Sequence, residues 1–288
     1  MSAEKSPDKP LAPGLYLVAT PIGNLEDITL RALRVLRNVD RIACEDTRQT
    51  QKLLNHFEIQ TPTVSYHMHN ESLRTEELTA ELQQGARIAV VSDAGTPGIA
   101  DPGGQIASAA IAAGIDVFPI PGANAAISGL IASGLPSSQF TFHGFLPAKA
   151  GQRKTTLEDL ARDNTTHVFY EAPHRILDTL ADIEAVFGAS QHIVLARELT
   201  KLHEEFLRGP AGELRLQLVS RDAIRGEFVL LFTLSAETQL QTRSIAEEVA
   251  TLMQSESLNE KEALKRVARE RNIGKSEAYR ELQRRKRT

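Results

Sequence analysis

The sequence predicts an α/β fold made of two α/β domains followed by a small helical module. Short apolar runs alternate with segments in which apolar residues recur at helical spacing, and turn-rich loops separate them. Beyond about residue 243 only helical patterns remain. The predicted divisions are a loose tail at 1–13, a first domain at 14–134, a second domain at 135–238 and a basic helical module at 239–288.

The first domain is predicted to contain a mainly parallel sheet with helices on both faces, because strand, loop and helix alternate along it. The expected strands are residues 15–19, 41–44, 88–91 and 117–119. Helices are expected from about residue 30, where Asp27 or Thr29 is the cap, then up to residue 57, over 104–113 and up to about residue 133.

The second domain is predicted to contain a mixed sheet, because its strands follow one another through shorter connections. Strands are expected at 140–145, 168–170, 193–196, 205–208 and 228–234, and helices near 152–162, 173–187 and 211–220. In the C-terminal module, residues 261–271 and 276–286 resemble two helices around a break at 272–275, as in a helix-turn-helix unit.

Composition excludes several classes of protein. With 288 residues, 41% of them hydrophobic and 24% charged, the chain is typical of a globular protein. No apolar run approaches the roughly 20 residues that a membrane-spanning helix needs. The polar start lacks the apolar core of a signal peptide, so a cytoplasmic protein is expected. Cys44 is the single cysteine, which excludes an intrachain disulfide framework and a cysteine cluster for zinc.

Charge is distributed unevenly along the chain. Residues 261–288 carry eleven Lys and Arg against four Glu, a local charge of +7, whereas the whole chain has a charge of −4. The remaining residues therefore sum to −11. A basic end on an acidic body predicts an anionic partner that binds at one place, although a solvated helix face would account for some of this charge.

Three loops at predicted strand ends share a composition rich in Gly, Pro and small residues: 20–24, 92–98 and 121–124. Ligands of open α/β sheets collect at the carboxyl ends of strands, and small residues let backbone groups approach a ligand closely. No phosphate-binding glycine motif is present, which favours adenine-type and amino-acid-type contacts over charge neutralisation. Asp93 is the acid placed among these glycines; it binds a ribose hydroxyl or an ammonium group, or it caps its own turn.

Five motifs resemble one family. They are LVATPIGNLEDITLRA at 17–32, EDTR at 45–48, SDAGTPGIADPG at 92–103, PGANA at 121–125 and YEAPHR at 170–175. Together they are similar to the ribosomal RNA small subunit methyltransferase I family, a branch of the tetrapyrrole (class III) methyltransferases that use S-adenosylmethionine. The resemblance runs from about residue 14 to the C-terminus.

The resemblance implies two domains of the tetrapyrrole-methylase type that enclose S-adenosylmethionine in each subunit of a homodimer. It also implies methylation of the ribose 2′-hydroxyl of a decoding-region cytidine, cytidine 1402 of 16S rRNA, in the small ribosomal subunit. By position, the implied cofactor contacts in the first domain are Pro21 as a lid, Ser92, Asp93, Ala94, Gly95, Gly98, Ile99, Ala100, Pro121, Gly122, Ala123, Asn124 and Ala125. The implied contacts in the second domain are Phe145, Glu171 and Ala172.

The methyl transfer needs alignment of the donor and the ribose hydroxyl, and it needs the hydroxyl proton to be removed. A sulfonium methyl group is already activated, whereas a ribose hydroxyl is a weak acid, so a base or a cation should assist. Glu171 or His174 are candidates to accept the proton, and Lys201 or Arg197 to stabilise charge on oxygen or hold a phosphate. Asp46 and Arg48 form a further acid–base pair in the first domain. No metal is expected, because no set of ligands at metal spacing occurs in the sequence.

Each of these candidates also has a structural alternative. Glu171 could satisfy backbone donors, His174 could cap a helix, and the pair Asp46 and Arg48 could be an interdomain or dimer salt bridge. In the C-terminal module the hypothesis is that basic side chains grip rRNA phosphates. Those side chains are Lys261, Lys265, Arg266, Arg269, Arg271, Lys275, Arg284, Arg285, Lys286 and Arg287.

Three other functions remain open from the sequence. A porphyrinoid methyltransferase would share the cofactor site but has no use for a basic tail, and relatives of that kind carry a more glycine-rich loop than ATPIG at 19–23. A non-enzymatic nucleic-acid-binding regulator would carry a damaged cofactor loop, yet residues 92–98 look intact. A protein-side-chain methyltransferase is disfavoured by the long family motifs.

Overall fold

The structure is a computed structural model that describes residues 10–161, 163–234, 245–256 and 258–270, together with Gly274, Ala278, Tyr279 and Leu282. The chain divides into two compact units. The first comprises Met1–Ala132 and the returning segment Ala196–Glu205, and the second comprises Ser133–Leu195 and Phe206–Thr288.

The first unit contains a five-stranded sheet in the order β3-β2-β4-β1-β5, in which every neighbouring pair of strands is parallel. The strands are β1 (Gly14–Val18), β2 (Arg41–Cys44), β3 (Thr63–Ser65), β4 (Arg87–Val91) and β5 (Val117–Ile120). The helices are α1 (Leu30–Asn38), α2 (Thr47–His56), α3 (Glu71–Gln83), α4 (Gly104–Ala112) and α5 (Ala125–Ser133).

Both faces of this sheet are covered, because alternate residues of a strand point to opposite faces. In β1, Tyr16 and Val18 join a cluster with residues of α1 and α2, whereas Leu15 joins a second cluster with residues of α3 and α4. Helix α1 begins where the Thr29 hydroxyl accepts the Ala32 N–H at 3.1 Å, so Thr29 is the cap. The two layers of helices leave the ends of the strands to the loops.

The second unit contains a five-stranded sheet in the order β6-β7-β10-β8-β9. Its strands are β6 (Phe140–Phe145), β7 (Thr166–Glu171), β8 (His192–Arg197), β9 (Glu205–Pro210) and β10 (Phe228–Thr233). Strand β7 is parallel to β6 and antiparallel to β10, so the sheet is mixed. Helices α6 (Ala150–Leu160), α7 (Ile176–Phe187) and α8 (Ala211–Val219) accompany it, and residues of all three pack in its core.

Two further helices form the C-terminal part of the described chain, α9 (Ile245–Ser255) and α10 (Glu260–Glu270). They share a small core of their own, in which Val249 of α9 and Val267 of α10 meet the isolated residues Ala278 and Leu282. The second helix predicted for this module, at 276–286, lies largely outside the described residues. Among the helices that are described, none is long and apolar enough to cross a membrane.

The predicted fold class is confirmed, with a parallel sheet and a mixed sheet of the tetrapyrrole-methylase type. One stretch was missed: no element was expected between residues 57 and 88, yet β3 and α3 lie there. Strand β3 has three residues, all only half-buried, so it lacks the apolar run that identifies a strand. Helix α3 buries only Thr75, Leu78 and Leu82 beneath a polar surface.

The core of the second unit contains a pair of histidines. The His143 Nε2 atom lies 3.1 Å from the His167 Nδ1 atom, and His143 stacks on Phe169 with ring centroids 4.6 Å apart. His167 is fully buried, and its burial together with the neighbouring His143 lowers its pKa to about 4. Asp163 acts in the opposite direction but does not compensate. Both rings are therefore neutral at pH 7, and one donates a hydrogen bond to the other.

This pair predicts acid sensitivity. In the unfolded chain His167 has the ordinary histidine pKa of 6.5, whereas in the folded chain its pKa is about 4. Between these two values the unfolded chain binds a proton that the folded chain does not bind, so the free energy of unfolding falls as the pH falls. His167 accounts for a loss of about 2 kcal/mol in the free energy of unfolding at pH 5. In H167F the drop in unfolding free energy between pH 7 and pH 5, measured by urea titration, should shrink by that amount. H192Q, at an exposed histidine, is the control. An unchanged acid dependence in H167F would contradict the prediction.

Candidate functional site

The loops that follow β1 and β4 are joined to each other by backbone. These strands are neighbours in a parallel sheet, so their following loops leave from the same edge. Thr20 N–H donates to Gly95 O at 2.9 Å, and Gly95 N–H donates back to Thr20 O at 3.1 Å. The buried Thr20 hydroxyl adds a bond to Ser92 O at 3.2 Å. Two of the three predicted ligand loops therefore form one rigid piece.

The loop after β5 is attached to this piece by side chains. The Thr96 hydroxyl donates to Ala123 O at 3.2 Å, and the Asn124 amide donates to the Thr96 hydroxyl at 3.3 Å. The Asn124 Oδ1 atom accepts a hydrogen bond from the Ile127 N–H at 3.1 Å, and this bond caps α5. The three loops thus converge on the carboxyl edge of the sheet, at the start of a helix.

Close approach of backbones explains the glycine at 122. A Cβ atom there would lie 3.0 Å from Ala19 Cβ and 3.4 Å from Ala19 O, closer than side chains normally pack. Gly95 needs its glycine for a different reason, since its φ of 87° is a left-handed conformation that residues with a Cβ rarely adopt. Small residues here serve the packing of the loops and leave backbone groups accessible.

A fourth loop, after β2, brings charge to the same edge. Asp46 N–H donates to the Asp93 Oδ1 atom at 3.1 Å, and the Asp46 carboxylate accepts two bonds from the Arg48 guanidinium at 2.8 and 3.1 Å. Those bonds to Arg48 lower the pKa of Asp46 to about 2. Burial and the nearby Asp93 raise the pKa of Glu45. At neutral pH this loop therefore presents an ionised Asp46 of very low basicity, already paired to Arg48.

The predicted cofactor residues of the first unit divide by exposure. Three of them are buried: Pro21, Ser92 and Gly95. The others present surface at the edge: Asp93, Ala94, Gly98, Ile99, Ala100, Pro121, Gly122, Ala123, Asn124 and Ala125. Pro21 is buried within its own loop, and its role as a lid stays a prediction.

The returning segment Ala196–Glu205 contacts the loop after β1. A Cβ atom on Gly23 would overlap with Lys201 Cγ, so Lys201 packs directly on that glycine. The Lys201 ammonium pairs with Glu198 at 2.8 Å. Glu198 and Thr200 have φ angles of 51° and 66°, left-handed conformations that cost free energy and cluster at functional sites. Lys201 is thus brought to the same edge as the ligand loops, whereas Arg197 pairs with Glu205 at the base of this segment.

In the second unit Glu171 is engaged by its own neighbours. It is 2% exposed, and its carboxylate accepts the Ala172 N–H at 2.9 Å and the Thr179 hydroxyl at 2.6 Å. The Arg175 Nε atom lies 3.3 Å from the same carboxylate. These contacts hold the start of α7, so they favour the structural alternative for Glu171 over proton transfer.

A second buried ion pair supports the loop that follows β6. Arg153 is 4% exposed and pairs with Asp182 at 2.7 Å while donating to Ala148 O at 3.1 Å. Arg175 donates to Leu146 O of the same loop at 2.5 Å. The two guanidinium groups thus bond carbonyls of this loop, including that of the buried Leu146, which stabilises the loop.

Two candidates of this unit are open to solvent. His174 is exposed at the turn before α7, and Phe145, the last residue of β6, is 55% exposed with its ring edge toward Tyr170 at 5.8 Å. Within the described residues, no hydrogen bond or ion pair of His174 or Phe145 indicates a chemical role.

The basic helix α10 has a regular exposed face. Lys261, Lys265 and Arg269 follow one another at four-residue spacing and are exposed, while Ala263 and Val267 are buried on the opposite side. The exposed Arg266 pairs with Glu256. The remaining predicted RNA contacts lie outside the described residues: Arg271, Lys275, Arg284, Arg285, Lys286 and Arg287.

The sequence pointed to the loops but not to the residues that join them. Thr20 and Thr96 lie inside the predicted motifs, and a hydroxyl residue among glycines is the signal that could have identified them. Glu71, which contacts the end of the loop at 92–103, had no such signal. In the part of the chain that the structure describes, no group of three potential metal ligands occurs.

Known proteins share the fold of this chain. The family model described as tetrapyrrole (corrin/porphyrin) methylases matches residues 14–215. Among solved structures, diphthine synthase aligns with a TM-score of 0.62 at 13% identity, covering 79% of this chain and 93% of that one. The uroporphyrin-III-C-methyltransferase of Thermus thermophilus aligns with a TM-score of 0.51 at 21% identity, covering 76% and 93%. At such identities the likeness concerns the fold.

Closer relatives carry one name. The ribosomal RNA small subunit methyltransferase I of Halalkalibacterium halodurans is 47% identical over 270 residues, which are 92% of this chain and 93% of the relative. The protein of the same name from Escherichia coli O157:H7 is 52% identical over 219 residues, covering 75% and 76%.

The chain is therefore a member of the tetrapyrrole methylase family, as its fold and strand-end loops indicate. Within that class it belongs to the ribosomal RNA small subunit methyltransferase I family, and the resemblance of its motifs is confirmed. The methyl donor of these methyltransferases is S-adenosylmethionine, which confirms the predicted cofactor.

The edge of the first unit fits this donor in two respects. Its exposed residues are almost all Gly, Ala and Pro, so backbone amides and carbonyls are accessible to the polar groups of the donor. Asp93 supplies an exposed carboxylate for hydroxyl or ammonium groups, and Ile99, 39% exposed, supplies an apolar surface suited to an adenine ring.

The approach of Gly122 to Ala19 gives a test of the site. In G122A the added methyl group must push the two loops apart, and overpacking of this kind costs about 1–3 kcal/mol. We expect the dissociation constant for S-adenosylmethionine, measured by calorimetry, to rise about twofold to tenfold if half of that cost falls on the bound state. G151A, where an added Cβ meets nothing within 4 Å, should bind like the wild type. Unchanged binding in G122A would show that this close approach does not shape the site.

Proposed function

We propose that the chain transfers a methyl group from S-adenosylmethionine to the ribose 2′-hydroxyl of a decoding-region cytidine, cytidine 1402, in the 16S rRNA of the small ribosomal subunit. The observation that carries this proposal is the near full-length identity, 47% over 92% of the chain, to a protein named ribosomal RNA small subunit methyltransferase I. The joined strand-end loops support the methyl-transfer part. The basic face of α10 supports an RNA acceptor.

The loops of the first unit bind and orient the donor in this proposal. When bound, S-adenosylmethionine supplies an electrophilic methyl group on a positively charged sulfur. The two-way bridge between Thr20 and Gly95 fixes the loops before the donor arrives, so little ordering is needed on binding. Asp93 holds a hydroxyl or ammonium group of the donor, with Asp46 N–H fixing its Oδ1 atom. The protein contributes alignment, which is the main requirement of this reaction.

Lys201 is the group that we assign to the ribose oxygen. It lies on Gly23 at the edge of the ligand loops, and its ammonium can stabilise negative charge that develops as the hydroxyl is deprotonated. Asp46 is a poor proton acceptor, because its pKa is about 2, and Glu171 is buried among its own donors. His174, which is exposed in the second unit, stays a sequence-based prediction for the proton acceptor.

The C-terminal module binds the RNA backbone in this proposal. Lys261, Lys265 and Arg269 form a line of cations about one helical turn apart, which suits contacts to successive phosphates. The seven basic residues that follow α10 in the sequence add to the same positive charge. A ribosomal acceptor also requires a cytoplasmic protein.

A homodimer completes the proposal. Helix α5, which Asn124 of the site caps, exposes Ile127 at 43% and Ile131 at 75%, four residues apart on one face. Apolar side chains in this arrangement suit burial against a second copy of the chain.

Methyl transfer from radiolabelled S-adenosylmethionine tests the function. The acceptors are small ribosomal subunits from cells that lack this protein, naked 16S rRNA, and a porphyrinoid in parallel. We expect label on a single cytidine ribose of the subunit RNA. Label on the porphyrinoid, or no transfer despite binding of the donor, would overturn the rRNA assignment.

Replacing Lys201 tests its assigned role. In K201M the loss of the cation should lower kcat roughly tenfold to a hundredfold, while the dissociation constant for S-adenosylmethionine stays within about twofold. K201R keeps the charge and should retain most of the activity. A K201M enzyme with unchanged kcat would remove Lys201 from the mechanism.

Reversing the charges of α10 tests RNA binding. In the triple variant K261E, K265E and R269E, the KM for small subunits should rise at least about tenfold and its dependence on salt should become shallower, because phosphate contacts are lost. The matched variant K261R, K265R and R269K keeps the charge and should behave like the wild type. Equal loss of donor binding in the charge-reversed variant would instead make the module a folding element.

A further inference from the structure

The end of the loop at 92–103 is held from outside the loop. After Gly95, this end of the loop carries three further residues with positive φ angles, Gly98 with φ of 81°, Ala100 with 62° and Gly103 with 138°. Ala100 has a Cβ atom, so its conformation is unfavourable unless neighbouring contacts maintain it. Bonds to Thr20 secure the beginning of the loop, but they lie several residues away from this strained part.

The strained part is folded back on itself. Gly98 N–H donates to Pro102 O at 3.1 Å, and a Cβ atom on Gly103 would lie 3.1 Å from Gly98 N and 3.3 Å from Pro97 Cβ. Gly103 N–H, at the end of this fold, donates to the Glu71 Oε1 atom at 3.2 Å. Glu71 is 32 residues away in the sequence and belongs to α3.

Glu71 is itself held in place by buried partners. Its Oε1 atom accepts the Tyr66 hydroxyl at 2.9 Å, and that hydroxyl lies 3.2 Å from the Thr75 hydroxyl. Tyr66 is 1% exposed, and burial raises its pKa to about 12, so it remains a hydroxyl donor throughout the physiological range.

The carboxylate also lies at two helix starts. Glu71 is the first residue of α3, and Gly103 is the residue that precedes α4. The positive ends of both helices favour a negative charge at this point. One carboxylate thus connects α3, α4 and the loop between β4 and α4.

We propose that Glu71 is a positioning residue for S-adenosylmethionine: through Gly103 it holds the 92–103 loop in the conformation that binds the donor. Glu71 does not touch the donor. This inference rests on the proposed function, which assigns that loop to donor binding.

The variants E71A and E71Q test it, with E76A, an exposed glutamate of the same helix, as the matched control. Without the carboxylate the loop samples other conformations, and the apparent dissociation constant rises by the inverse of the competent fraction. We expect the dissociation constant for S-adenosylmethionine to rise about tenfold in E71A and less in E71Q, whose amide oxygen can still accept one bond. At saturating donor, kcat should change less than about twofold.

The readouts separate positioning from mere stability. If the melting temperature falls in E71A while donor affinity stays unchanged in both variants, the inference is overturned. If E71A does not fold, E71Q and Y66F, which weaken the same contact, must still raise the dissociation constant several-fold for the inference to stand. D93A distinguishes the two proposals: weaker binding in D93A with wild-type binding in E71A overturns only the role of Glu71, whereas absence of donor binding in the wild type overturns the proposed function.

Discussion

The two-way backbone bridge between Thr20 and Gly95 is the constraint on which the site depends. Strands β1 and β4 lie side by side in a parallel sheet, so their loops must leave at the same edge, and the bridge then locks them together. The loop after β5 attaches through Thr96, and the close approach of Gly122 to Ala19 follows from that attachment. A larger residue at Gly122 would push these two loops apart.

The charged side chains near the joined loops differ in whether they are already paired. The first unit presents Asp93 and Lys201 at the loop edge, while Asp46 is neutralised by Arg48. In the second unit the carboxylate of Glu171 is buried and accepts hydrogen bonds that stabilise the start of α7. Buried charged groups in proteins generally need such partners. The buried carboxylates of Glu171 and Asp182 therefore stabilise loops of the second unit, whereas the exposed carboxylate of Asp93 is open to a ligand.

Much of the fold could be predicted from the sequence, because apolar runs of β1, β4 and β10 and the Gly-rich loops are local signals. The mixed sheet followed from the spacing of strands in the second half. What could not be predicted depends on distant contacts. The sequence around Glu71 contains no signal for its bond to Gly103. Likewise, no local sequence pattern distinguishes a catalytic base from a structural carboxylate at Glu171. The return of Ala196–Glu205 to the first unit, which brings Lys201 onto Gly23, is likewise a property of the folded chain.

Hydrogen–deuterium exchange with and without S-adenosylmethionine tests the central claim most directly, because backbone amides of the strand-end loops should contact the donor or become less mobile when it binds. The account predicts slower exchange at residues 20–24, 92–103 and 122–125 in the bound protein, with α10 unchanged. Protection confined to other segments, with these three loops exchanging as in the free protein, would contradict it.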